Sequence, residues 1–272
     1  MATEPTKRSN IVLLIADDLG SWAVSAYGNK EIHTPHIDAL AVRGTRFTSF
    51  YCTSPVCSPA RASLLTGQMP SVHGVHDWIL PASPTAQLDR FLEGQETFVD
   101  ALVNSGYEAG MFGKWHLGDA RQAQAGFSRW VALEASHGPY TDAEFVTDDV
   151  DDDTTGYVTD VIADTAIAFI RQHADASNPF LASVNFTAPH HPWVDQHPHR
   201  ITDLYSGCAF ESCPQEAPHP WLHPSLAPAV RRAYEDPVPS LTGYFAAVTA
   251  MDEAIGRIVR ELQSTGAWTP PW

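Results

Sequence analysis

The stretch Asn10-Ile11-Val12-Leu13-Leu14-Ile15-Ala16-Asp17-Asp18-Leu19-Gly20 decides the fold. An unbroken apolar run from Ile11 to Ala16 stops at two acids and a glycine. The run is too short to span a membrane or to form the apolar part of a signal sequence. It reads as a buried first strand with a loop at its carboxyl end. The residues before it carry no export signal, so a cytoplasmic location is expected, with periplasmic and secreted locations left open.

Two further stretches follow the same plan. Tyr107 to Phe112 reads as a strand running into Gly113-Lys114-Trp115-His116, and Pro179 to Phe186 as a strand running into Thr187-Ala188-Pro189-His190. Helices are expected between such strands. Thr34-Pro35 opens one that Gly44 closes. Others cover Ser58 to Leu65, Glu96 to Asn104, Tyr157 to His173 and Leu241 to Leu262. Tyr157 to His173 is amphipathic, with Val161, Ile162, Thr165, Ala168 and Phe169 on one face. Thr45 to Phe50 alternates enough for a short strand. Residues 119–156 show no strong periodicity and include the acidic run Asp148 to Asp153, which reads as a solvated loop.

Strands alternating with helices predict an α/β architecture with a largely parallel central sheet flanked by helices. There is no internal repeat and no linker, so residues 1–272 are expected to form a single domain. Ligands of such sheets bind beyond the carboxyl ends of the strands. Asp17 and Asp18, Lys114 with His116, and His190 all fall at such ends.

Composition narrows the chemistry. The 272 residues hold 16 Lys and Arg against 32 Asp and Glu, a formal net charge of -16. A field of that sign repels nucleic acid and anionic lipid, so neither a nucleic-acid nor a membrane partner is expected. It repels an anionic small substrate too, so any site for one must supply its own cations or a metal. Four cysteines, Cys52, Cys57, Cys208 and Cys213, are too few for a disulfide scaffold and have no zinc-ligand spacing. Cys208 and Cys213 could pair in an oxidising compartment or stand as two thiols.

The sharpest string is Cys57-Ser58-Pro59-Ala60-Arg61-Ala62-Ser63-Leu64-Leu65-Thr66-Gly67. It resembles the signature of the formylglycine-dependent sulfatases, members of the alkaline-phosphatase-like superfamily. In that family a maturation enzyme recognises Cys-x-Pro-x-Arg and oxidises the cysteine to formylglycine. The resemblance runs from Asn10 to about Gly266, and its order is kept by Asp17-Asp18 before the cysteine and Gly113-Lys114-Trp115-His116 after it.

The resemblance implies an alkaline-phosphatase-like sandwich and a sulfuric ester hydrolase. Cys57, once oxidised, would be the nucleophile: the hydrated aldehyde attacks sulfur through one hydroxyl and expels sulfate when the second loses its proton. The helix opening at Ser58 adds a positive dipole end there. Asp17, Asp18 and the modified Cys57 would ligate one divalent cation, Ca2+, whose preference is for hard oxygens. Arg61 would bridge nucleophile and metal, Lys114 contact the sulfate, His116 orient the nucleophile, and His190 protonate the departing alcohol. His191 is the adjacent alternative, and the remaining histidines, His197, His199, His219 and His223, read as an exposed Pro- and His-rich loop.

Implied partners are a small-molecule or carbohydrate sulfate ester and the formylglycine-generating enzyme. The family continues beyond this length into a strand bearing further metal ligands and a sulfate-binding lysine. The tail from Gly266 to Trp272 has no such pattern, so the chain is expected to be the N-terminal part of the domain, incomplete at its carboxyl end. The alternatives are a phosphonate monoester or phosphodiester hydrolase of the same superfamily, or a non-catalytic remnant.

Overall fold

The computed structural model describes residues 8–79, 90–135, 137–150, 152–214, 217 and 233–268. In chain order the strands are β1 (Ile11–Asp17), β2 (Glu108–Gly113), β3 (Arg129–Leu133), β4 (Phe145–Thr147) and β5 (Phe180–Pro189). The helices are α1 (Pro35–Arg43), α2 (Cys57–Thr66), α3 (Pro70–His73), α4 (Phe98–Asn104), α5 (Val158–His173), α6 (His199–Thr202) and α7 (Val238–Ser264).

The strands form one sheet in the order β1-β5-β2-β3-β4. The pairs β1–β5, β5–β2 and β2–β3 are parallel, and only the short β4 runs against its neighbour β3. β5, buried along its whole length, is flanked by both β1 and β2. It opens as the apolar run Phe180-Leu181-Ala182, and beyond that the buried polar residues Ser183, Asn185 and Thr187 alternate with Val184, Phe186 and Ala188.

Period-two alternation sends successive residues into two cores. Phe112, Val131, Ala182 and Val184 meet α5 and α7 on one face. Met111, Trp130, Ala132 and Leu181 meet Ala62 and Leu65 of α2 and Val99 of α4 on the other. The result is a helix–sheet–helix sandwich, the α/β architecture expected from the sequence. No helix among the described residues is long and apolar enough to cross a membrane.

Some local expectations shift. Thr45 to Phe50 is not a strand: it is irregular, with a bend at Thr48 and Ser49, and lies outside the sheet with Phe47 and Phe50 exposed. Its alternation is real, but no strand of the described sheet pairs with it. β3 and β4 arise in the stretch that showed no periodicity. The acidic run is only partly solvated, because Asp148 and Asp152 both pair with Arg129 of β3; Asp151 lies outside the described residues. Cys208 Sγ donates to the Glu31 carboxylate at 3.6 Å. The four-residue tail from 269 to 272 and the histidines His219 and His223 lie outside the described residues.

Candidate active site

Parallel register builds the site. Asp17, the last residue of β1, aligns with Pro189 of β5 after an irregularity between Ile15 and Asp17, so His190 follows directly beside it. On the other side of β5, Gly113 of β2 aligns with Asn185. Gly113 has φ +104°, and a Cβ there would lie 2.2 Å from the Asn185 carbonyl oxygen. Only glycine lets β2 turn at that contact. The Lys114 amide then donates to the same carbonyl at 2.9 Å. Three strand ends thereby deliver Asp17, Lys114 and His190 to one edge of the sheet. Cys57 opens α2, with the helix amino end behind it.

Asp17 lies at the centre. Lys114 Nζ bonds its Oδ2, and Arg61 Nη2 stands 3.7 Å from its Oδ1. Arg61 also donates from Nη1 to the Lys114 carbonyl at 2.8 Å. All three are buried, Lys114 to 1% exposure. Burial raises the Asp17 carboxyl, but Arg61 and Lys114 outweigh it, and the net shift is downward from 3.8. Two buried cations on one carboxylate leave the spot locally positive in a strongly acidic chain, the arrangement an anionic ester needs.

Cys57 behaves differently from a thiolate nucleophile. Burial, and then the Asp17 charge, raise its thiol above the ordinary value. Reactive cysteines are shifted the other way. His116 is also held neutral, pushed down to about 4 by burial and then by Lys114. Its Nε2 contacts the Ile79 carbonyl at 3.0 Å. A carbonyl only accepts, so Nε2 carries the proton and Nδ1 is a bare acceptor. That Nδ1 and the Nε–H of Arg61 are both buried without a hydrogen-bond partner among the described residues. Buried polar atoms of this kind call for a partner, such as a ligand or modified side chain.

The acid pair separates. Donor atoms of Asp17, Cys57 and His190 lie within 4.8 Å of one another, a grouping able to hold a metal ion. Asp18 stands outside it. Its side chain is 55% exposed, with Oδ2 3.7 Å from His190 Nε2. Its φ of +67° turns the chain away from the strand line. His190 contacts the His191 carbonyl through Nδ1 at 2.8 Å, which leaves Nε2 facing the acids. His191 is exposed, its ring tilted by 35° against that of His190 at 4.3 Å. His197 lies elsewhere, buried against Tyr140 and Tyr157.

Several residues of the site have no signal in the sequence. The Trp78 ring lies 6.5 Å from His116 and 6.3 Å from His137, and His137 lies 5.8 Å from His190. Tyr140, almost fully buried, donates its hydroxyl to the His190 carbonyl at 2.7 Å. Trp78, His137 and Tyr140 sit in stretches without periodicity, and only the tertiary fold brings them to the strand ends.

Comparison with known proteins agrees with this geometry. Residues 9–270 match the family model described as Sulfatase. An ulvan-active sulfatase of Formosa agariphila is 33% identical over 97% of this chain and 48% of its own length. An N-acetylglucosamine-6-O-sulfatase of Bacteroides thetaiotaomicron is 36% identical over 70% of this chain and 32% of its own. A solved structure in complex with its substrate D-glucosamine-2-N,6-O-disulfate superposes with a TM-score of 0.71 at 25% identity, covering 96% of this chain and 63% of that one. The chain thus spans about half or less of the length of these curated relatives. With a family match that takes in nearly every residue, the chain belongs to the sulfatase family.

Proposed function

We propose that this chain hydrolyses sulfate monoesters, R–O–SO3⁻ plus water giving R–OH plus sulfate, with Cys57 working as formylglycine. The observation that carries the reading is Asp17 gripped by the buried Arg61 and Lys114, beside a cysteine whose thiol is pushed up by burial and by Asp17. A cysteine in that setting is a poor thiolate nucleophile. An aldehyde at position 57, once hydrated, offers one hydroxyl to attack sulfur and a second whose proton loss releases sulfate.

A divalent cation fits the donor set. Asp17 and an oxygen at position 57 would hold it, with Asp18 at the rim and His190 Nε2 beside them, kept for proton transfer. Calcium suits these carboxylate and hydroxyl oxygens, and the residues described supply part of the six to eight ligands it takes. When bound, it supplies Lewis-acid polarisation. The chain's own residues do the rest. Arg61 and Lys114 neutralise the sulfate oxygens. His116 Nδ1 accepts the proton of a hydroxyl at position 57. His190, when protonated, donates from Nε2 to the departing alcohol oxygen.

The alcohol is proposed to be a sugar, because the similar proteins are named for ulvan and N-acetylglucosamine. Mass spectrometry of the Cys57 peptide tests the core of the reading. Chain made in cells with a formylglycine-generating enzyme is expected to carry an aldehyde in place of the thiol. Recovery of the thiol alone under those conditions would remove the proposed nucleophile.

A further inference from the structure

We propose that Trp78 is the platform on which the sugar ring of the substrate stacks, with His137 closing its edge. This rests on the sulfate-ester reading above and names the surface that takes the alcohol. Arg61 and Lys114 account for the sulfate end of the substrate, but neither offers anything to an uncharged ring.

Trp78 does. Its indole stands edge-on to His116, at 78° and 6.5 Å, and 6.3 Å from His137. It therefore bridges the histidine of the β2 loop and a histidine that leads on to His190 of β5. It is 44% exposed, so a large aromatic surface stays open to solvent beside a buried charged site.

The backbone holds it there. The Ile79 amide donates to Ser58 Oγ at 3.2 Å, and the Ile79 carbonyl takes the His116 Nε2 proton at 3.0 Å. The residue after Trp78 is thus tied both to the amino end of α2, next to Cys57, and to the β2 loop. The Trp78 amide is turned by Asp77 Oδ1 at 2.7 Å.

A pyranose has a C–H face and a hydroxyl-bearing edge. The indole matches the first by apolar contact, and the imidazole of His137 can exchange hydrogen bonds with the second. A linear alkyl sulfate would use neither.

Calorimetric titration tests this on the full chain with Cys57→Ala, so that no ester is consumed, and with calcium present. The probes are inorganic sulfate and glucosamine 6-sulfate. The sugar sulfate is expected to bind about tenfold or more tighter than sulfate. Trp78→Ala should erase that advantage and leave the affinity for inorganic sulfate unchanged, while Trp78→Phe keeps most of it. A Trp78→Ala chain that still prefers the sugar sulfate would overturn the platform and leave the hydrolase reading standing. If the Trp78-bearing chain binds neither probe, the anion site itself is wrong and the platform goes with it.

Discussion

Burial acts in opposite directions on Cys57 and His116, and in each case it favours the neutral form. The thiol is pushed up and the imidazole down, which leaves a protonated cysteine and an unprotonated histidine at the same edge of the sheet. His197 shows the same physics away from the site. Its Nδ1 meets the Tyr157 hydroxyl at 2.8 Å, and burial pushes it from 6.5 to about 4. An unfolded chain therefore binds more protons than the folded one between pH 6.5 and about 4. Stability is full above that window and falls as the pH drops through it, each histidine accounting for on the order of 3 kcal/mol. Asp17 titrates below 3.8 and lies outside the window. Urea midpoints are expected to decline across this range, and His197→Gln should flatten part of the slope. An unchanged slope in that variant would place the proton uptake on other groups.

Helix packing turns on a contact that spans the chain. Thr34 occupies the cap position of α1, but its side chain makes no capping bond and instead accepts from the Ser25 amide at 3.0 Å. The free amides of His36 and Ile37 go to Asp252 of α7, at 3.1 and 2.7 Å. One turn on, a Cβ at Gly256 would lie 2.4 Å from the His36 ring, so α1 rests directly on α7. Asp252→Ala removes the cap and leaves two part-buried amides without their acceptor, at a cost of about 1–2 kcal/mol. Urea unfolding should show a lower midpoint with an unchanged slope, and a loss within about 0.5 kcal/mol would mean that water satisfies those amides instead. Such contacts mark the limit of what local pattern carries. β1, β2 and β5 were readable because each carries an apolar stretch that ends in a polar loop, although β1, expected to be buried, is only half-buried. β3 was not, since Arg129-Trp130-Val131-Ala132-Leu133 mixes a charge with residues for both cores. β4, at 3 residues, exists only through its pairing. Cys57, Arg61, Lys114 and His116 were legible as motif residues. Trp78 and His137 reach the site through tertiary folding alone, and the left-handed turn at Asp18, which leaves its side chain at the rim, has no signal in the sequence.

At the scale of the molecule, charge and apolar surface oppose each other. Among the described residues β1 pairs with β5 alone, so its other edge is open and it is only half-buried. Val42 near the end of α1 and Phe47, Phe50 and Tyr51 after it are exposed, Phe50 and Tyr51 to 82% each. An open strand edge and clustered exposed aromatics both favour contact between copies. The net charge of -16 opposes it through mutual repulsion. Salt decides between them, because the screening length falls from about 30 Å at 0.01 M to about 8 Å at 0.15 M while apolar contact is not screened. Light scattering of the 272-residue chain is expected to rise with added sodium chloride. Replacing Phe50 and Tyr51 with lysine should suppress that rise by breaking the apolar patch. Scattering that fell with salt instead would show that the copies meet through opposite charges, and the aromatic surface would then have no part in their association.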